Sequence, residues 1–371
     1  MDCQPVLTAS HLAVLAALLA SPLPGVTVSP APDTGALLPL TEHVGGRTTP
    51  APGGPQALTR QWPGPYFETA FNGRAVLFQV GPGEVALHVL VDGTQVDTLV
   101  KPLPGMYRVA GLAPGRHELR LEVASESQAR PTMFGGFFAE AETIASPLAS
   151  RSRAIEFIGD SHTVGYGNTS TKTDCTQDEV WETTDTSRAF GPALARRYGA
   201  DYEVNAISGR GVVRNYNGFA ADKLPEAYPF TLFDKSSRAD EPGWRPQVIV
   251  IALGTNDFTT PLHAGEKWAT RDELHTDFET TYVRFVQSLR ARNPNALIVL
   301  WATDMAEGEI ETEAAKVAAA LRASGDTLVD YVPVNGLSFS GCHAHPSLAD
   351  ETVIANRIAA VIDAHGDTWS N

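Results

Sequence analysis

The sequence holds only three cysteines in 371 residues and no Cys-x-x-Cys spacing, which argues against a thiolate zinc site. It also lacks basic excess. With 28 Lys and Arg against 43 Asp and Glu, the formal net charge is −15. That argues against nucleic acid or an anionic membrane surface as partner, since both require a basic patch. No apolar run reaches the eighteen or so residues of a membrane span. The Gly-x-Ser-x-Gly elbow is absent throughout.

Apolar content is ordinary at 43%, and the length suits two domains with sizeable cores. The stretch "HLAVLAALLASPLPGVTVSPA", from residue 11, reads as the apolar block and cleavage zone of an export leader, although "MDCQPVLTAS" before it has no Lys or Arg. Residues 1–40 are therefore expected to be a leader or a disordered segment, and the protein to be secreted or periplasmic. Cys3 would depart with the leader. Cys175 and Cys342 then remain as a candidate disulfide, the alternative being two buried thiols.

Residues 41–147 read as an all-β sandwich or jelly roll. Short alternating stretches such as "RAVLFQV", "VALHVLVDG" and "HELRLEVA" are separated by Gly and Pro turns, without helical periodicity between 60 and 140. Residues 148–371 change pattern: apolar strands ("AIEFIG", "YEVNAIS", "PQVIVIALG", "ALIVLWATD") alternate with amphipathic helices. This predicts an α/β domain of three layers around a parallel sheet. Ser187 is expected to cap the helix in "SRAFGPALARRYGA". In open parallel sheets, ligands bind beyond the carboxyl ends of the strands.

Three loops fall at those ends. In "IEFIGDSHTVGYGN" a strand runs into Gly159-Asp160-Ser161, a turn that exposes the Ser161 hydroxyl. In "SGRGVVRNY", Gly209 and Gly211 let backbone N–H groups approach a ligand, as oxyanion stabilisation requires. In "LGTNDF", Asn256 offers a side-chain amide, or alternatively an Asx turn. Near the end of the chain, "SGCHAHPSLAD" places His345 before Pro346, where an imidazole is able to take a serine proton; a His-x-His metal pair with His343 finds no further ligands.

Together, Ser161, Gly209, Asn256 and His345 follow the order of the four signature residues of the SGNH (GDSL-type) hydrolases. "HVGGRTTP", "QWPGPYFETAFNG", "GLAPGRHELRLEVASES", "SGRGVVRNY" and "GCHAHPS" resemble carbohydrate esterase family 2 over roughly residues 43–365. The resemblance implies a β-sandwich followed by an SGNH hydrolase domain. It also implies removal of acetyl groups from plant polysaccharides of the xylan or glucomannan type, with no metal or organic cofactor. Ser161 would be the nucleophile and His345 the general base. The Ser161 and Gly209 N–H groups and the Asn256 amide would form the oxyanion hole, and an acetyl-enzyme would be the intermediate.

Two positions depart from the family pattern. Full-triad members carry Asp two residues before the histidine, where this chain has His343. A Ser–His dyad is therefore expected, with a backbone carbonyl orienting the ring; Asp350 and the His343 ring are the alternative auxiliaries. Ala344 stands where an aromatic residue often stacks on sugar. Tyr216 and Trp301 are candidate platforms in its place, and Arg214 is a candidate ligand contact or a surface ion pair. The competing functions are a general short-chain esterase or lipase and a weakly active carbohydrate-binding protein.

Overall fold

The computed structural model describes residues 23, 25–31, 37–239 and 242–370. The expected leader's apolar block lies outside them. The N-terminal unit is an eleven-stranded antiparallel sheet built around two long paired strands, Tyr66–Val80 and Gly105–Val123. Alternate residues of these strands, among them Phe67, Phe71, Val76, Phe78, Val109, Leu119 and Leu121, are buried in one apolar cluster. Each such side chain contributes about 1.5–3 kcal/mol of burial. The sheet begins earlier than the expected boundary at residue 40: Thr27–Pro30 pairs with Gly105–Val123, and Leu38–Pro39 with Thr132–Ala139. Both are edge pairings only a few residues long, which the Pro- and Gly-rich sequence around them conceals.

The C-terminal unit is a five-stranded parallel sheet. Its strands in chain order are Ala154–Gly159, Asp201–Ala206, Val248–Ala252, Leu297–Thr303 and Val329–Val334. In space they run second, first, third, fourth, fifth. Val248–Ala252 and Leu297–Thr303 are wholly buried, as strands covered on both faces must be. Helices Arg271–Arg292 and Glu309–Ala323 pack on one face, and Phe190–Tyr198 and Leu348–Ala364 on the other.

Ser187 does not cap the helix Phe190–Tyr198. It lies in the short turn Thr186–Arg188, with its hydroxyl on Asp185 at 2.7 Å. The first N–H of that helix is instead taken by Glu351 of the last helix, at 2.8 Å.

The two units share buried side chains. Trp62 packs in the core on one face of the parallel sheet and Tyr66 in the core on the other, both fully buried. Arg47 reaches Glu203 at 3.2 Å and Glu156 at 3.4 Å, while His88 meets Asp185 at 2.9 Å. The all-β unit is thereby held directly beside the loops at the strand ends.

Candidate active site

Register brings the site together. Gly159 pairs with Ala206 on one side and Ala252 on the other, so three neighbouring strands end at the same level. The first strand lies between the second and third, which is the switch point where crossovers leave in opposite directions and open a crevice. Ser161, Gly209 and Asn256 follow those three ends. Gly159 is required by space, since a Cβ there would lie 2.1 Å from the Thr163 hydroxyl.

Ser161 opens a one-turn helix, Ser161–Val164, whose N-cap is Asp160. The Ser161 Oγ lies 2.8 Å from His345 Nε2, across 184 residues of sequence. The other ring nitrogen, Nδ1, is 2.9 Å from the Cys342 carbonyl and 3.2 Å from the His343 carbonyl. Carbonyls only accept, so Nδ1 carries the proton and Nε2 is left as the acceptor for the serine hydroxyl. Burial lowers the His345 pKa to about 4, the carbonyl bonds opposing it and His343 adding to it. The ring is therefore a neutral base near pH 7.

The loop that presents His345 is held at several points. His343 and Ala344 both have positive φ, 51° and 57°, conformations that non-glycine residues keep only under external constraint. The constraint is a disulfide, Cys175–Cys342, with a Cα–Cα distance of 5.6 Å. It is joined by His343 N–H on Thr173 O at 2.7 Å and the His343 Nε2 bond to Cys175 O at 2.8 Å. Tyr166 lies over the His345 ring at 4.3 Å between centroids, and its hydroxyl is 3.0 Å from His343 Nδ1.

Among the hydrogen bonds of the described residues, the N–H groups of Ser161 and Gly209 have no protein acceptor. Gly209 sits at φ +82°. Asn256, 4% exposed, donates through Nδ2 to Asp160 Oδ2 at 3.1 Å and to the Arg210 carbonyl at 2.9 Å. Asp160 also accepts the His162 N–H, and its carboxyl is pushed up to about 7, chiefly by burial with the charge of Asp257 adding to it. Asp257 accepts three consecutive N–H groups, from Val212, Val213 and Arg214, at 2.9–3.0 Å. It thereby ties the loop after the second strand to the loop after the third. Ser161, Gly209, Asn256 and His345 all line a cavity of about 530 Å³.

The remaining expected residues separate clearly. Tyr216 lines the cavity and is 52% exposed. Trp301 does not: it is 1% exposed, in the core, edge-on to Phe190. Its strand faces are both covered, which leaves no room for a sugar platform. Arg214 is neither a ligand contact nor a surface pair. It is buried, forked on Glu266 at 2.6 and 2.9 Å, and bonded to loop carbonyls of Thr260 and Pro261. Asp350 accepts from Ser338, Phe339 and Ser347, so its carboxylate serves the N-terminus of the last helix and makes no bond to His345. His343 faces the imidazole through its carbonyl, while its ring turns to Tyr166 and Cys175.

Tyr166, His162 and Asp257 are functional neighbours that the sequence alone does not single out. His162 is buried edge-on to His345 at 5.5 Å, and its pKa is lowered to about 3 by burial. All three stand next to or a few residues from residues already singled out, and nothing in one chain marks them as more than turn or core residues.

Comparison with known proteins gives the family. Residues 44–147 match the family described as Carbohydrate esterase 2 N-terminal, and residues 157–353 match the GDSL-like Lipase/Acylhydrolase family. An acetylxylan esterase / glucomannan deacetylase of Cellvibrio japonicus is 42% identical over 335 residues, covering 89% of this chain and 93% of that protein. This chain belongs to carbohydrate esterase family 2. Family 2 enzymes of the GDSL type are serine esterases, and this chain is one. A solved carbohydrate esterase whose active site displays divergent catalytic and non-catalytic binding functions matches with TM-score 0.85 and 39% identity, over 90% of this chain and 100% of that one. A family two carbohydrate esterase from Clostridium thermocellum, in complex with cellohexaose, matches with TM-score 0.77 and 28% identity, over 88% and 100%. No helix among the described residues is long and apolar enough to cross a membrane.

Proposed function

We propose that this family 2 esterase removes O-acetyl groups from plant polysaccharides of the xylan and glucomannan type, through an acetyl-enzyme on Ser161. The observation that carries the reading is the 2.8 Å contact between Ser161 Oγ and His345 Nε2, with Nδ1 already committed to two carbonyls. His345 Nε2 takes the hydroxyl proton as Ser161 Oγ attacks the acetyl carbon. The tetrahedral oxyanion accepts from the Ser161 and Gly209 N–H groups. Asn256 joins them by sharing the hydrogen it gives to the Arg210 carbonyl. Collapse expels the sugar oxygen, which receives the proton from His345. Water then repeats the sequence and releases acetate.

No carboxylate touches His345 among the described residues, so the site works as a Ser–His dyad. The imidazolium formed on the way is stabilised by two carbonyl dipoles rather than by a full charge. Tyr216, at the cavity rim, is the platform for a sugar ring, in place of the aromatic residue missing at Ala344. A polymeric substrate and a disulfide, which persists in oxidising compartments, both support a secreted or periplasmic enzyme.

Acetate release from acetylated xylan and acetylated glucomannan tests the reading. Wild type is expected to release acetate, and Ser161→Ala to abolish it while leaving the melting temperature intact. Hexanoyl esters turned over clearly faster than acetyl esters would redirect the assignment to a lipase. Polysaccharide binding without acetate release would redirect it to a binding protein.

A further inference from the structure

The oxyanion-hole peptide of the C-terminal unit is gripped by side chains of the N-terminal one. Gln128 Nε2 donates to the Ser208 carbonyl at 3.1 Å. Glu126 Oε1 accepts the Ser208 N–H at 2.9 Å and the Gln128 amide at 3.1 Å. Both residues lie just beyond the long strand Gly105–Val123 of the all-β unit. The Ser208 carbonyl and the Gly209 N–H belong to one planar peptide and point in opposite directions. Whatever holds that oxygen also aims that N–H.

The turn needs holding. Arg210 N–H bonds to the Ile207 carbonyl at 3.2 Å, and Gly209 at φ +82° is the third of the four residues. That is the pattern of a type II turn. Its central peptide, Ser208–Gly209, is able to rotate by about half a turn into the type I arrangement without disturbing the flanking chain. Rotation would carry the Gly209 N–H out of the cavity. Gln128 opposes it by binding the carbonyl of that peptide, and Glu126 fixes the preceding peptide through Ser208 N–H. A donor on the carbonyl also polarises the amide and strengthens its N–H as a donor.

We propose that Gln128, supported by Glu126, is a positioning residue of the all-β unit that locks the Ser208–Gly209 peptide with its N–H facing the oxyanion. The inference rests on the reading of Gly209 as an oxyanion donor. It gives the all-β unit a part in the chemical step, beyond any part in holding polysaccharide. Gln128 lines the catalytic cavity itself and borders a second one of about 790 Å³ that extends toward Trp181, so a plain sugar contact is the competing role.

Gln128→Met keeps the side-chain length and removes the donor. Gln128 is exposed, so the variant is expected to fold. The expected result is a fall in kcat of about tenfold on both p-nitrophenyl acetate and acetylated xylan, with KM and melting temperature unchanged. Affinity for a boronic acid that forms a tetrahedral adduct on Ser161 should weaken by a similar factor. Unchanged kcat and boronate affinity overturn the inference. So does a higher KM confined to xylan, which would make Gln128 a sugar contact. Asn256→Ala and Ser161→Ala are measured beside it. If Asn256→Ala loses activity and Gln128→Met does not, only this inference fails; if Asn256→Ala retains it, the oxyanion-hole reading itself is wrong, while Ser161→Ala, which keeps its backbone N–H, reports the nucleophile alone.

Discussion

Lowering the pH separates a buried base held by carbonyls from an ordinary histidine. Burial carries the His345 pKa from 6.5 down to about 4. At pH 5, a base titrating near 4 is about nine-tenths unprotonated, whereas one at 6.5 is only about three-hundredths so. The acidic limb of kcat/KM reports the free enzyme's base, and for p-nitrophenyl acetate its midpoint is expected near 4. Two neighbours titrate on either side. His162, lowered to about 3 by burial and by the charge of His345, charges only below that limb. Asp160, pushed up to about 7, adds a shallow step near neutrality, because its protonated form accepts more weakly from Asn256. Stability moves in the same sense as activity. Between 4 and 6.5 the folded chain binds fewer protons at His345 than the unfolded chain, so this group's contribution is complete above about 6.5 and is lost as pH falls toward 4. Tryptophan fluorescence at each pH, recorded beside initial rates, distinguishes titration from unfolding. A limb centred at 6.5 or above in the folded enzyme would refute the reasoning.

Other substitutions probe the support of the dyad. Cys175→Ser removes the bridge that fixes Cys342, whose carbonyl holds the imidazole, across a sequence separation of 167 residues. A stability loss of about 3–5 kcal/mol is expected by denaturant titration, together with a lower kcat below the unfolding temperature; an unchanged kcat would mean that the loop keeps its shape without the bridge. Asp350→Ala should cost about 1–2 kcal/mol as a lost cap while leaving kcat within about threefold, and a loss of a thousandfold in a folded variant would expose a hidden triad. His343→Asp should not create one. The side chain at 343 leaves toward Tyr166 and Cys175 O while its carbonyl faces His345, so kcat should fall and the acidic limb should rise by less than about one unit. A limb moved to 6.5 with a faster kcat would show that the loop re-forms around the new carboxylate.

Much of the C-terminal unit was legible because the sequence there repeats one local rule. Apolar strands flanked by Gly, Ser and Asn end in turns, and "AIEFIG", "YEVNAIS" and "PQVIVIALG" lie where parallel strands were expected. The division of the chain was harder to read. Trp62 and Tyr66 stand in the Pro/Gly-bounded segment "QWPGPYFETAF", which looks like the entry to the all-β unit, yet both pack into the cores beside the parallel sheet. Apolar periodicity reports that a residue is buried and does not say against which partner. Ser187 misled for a related reason: a serine before a helix is a local signal, and the bond that satisfies this helix comes from Glu351, 161 residues away.

The same distinction runs through the site. Ser161, Gly209 and Asn256 could be found because each follows a strand, and His345 because proline fixes the turn after it. What could not be found are the groups that act by reaching across. Asp257 collects three N–H groups from the preceding loop, Tyr166 covers the imidazole, and Cys342 offers a carbonyl where a carboxylate was missing. A carbonyl acceptor leaves no trace in sequence, since every residue has one. It becomes an orienting group only when its peptide is held still, and here that requires a disulfide, two left-handed residues and a histidine ring bonded at both nitrogens. The absent aspartate pointed to a backbone carbonyl in its place, and only coordinates could say which ones face His345. Replacing a charge by a fixed dipole keeps the tautomer but does little to raise the ring's basicity, which is why the low pKa of His345 and the rigidity of its loop belong to one arrangement.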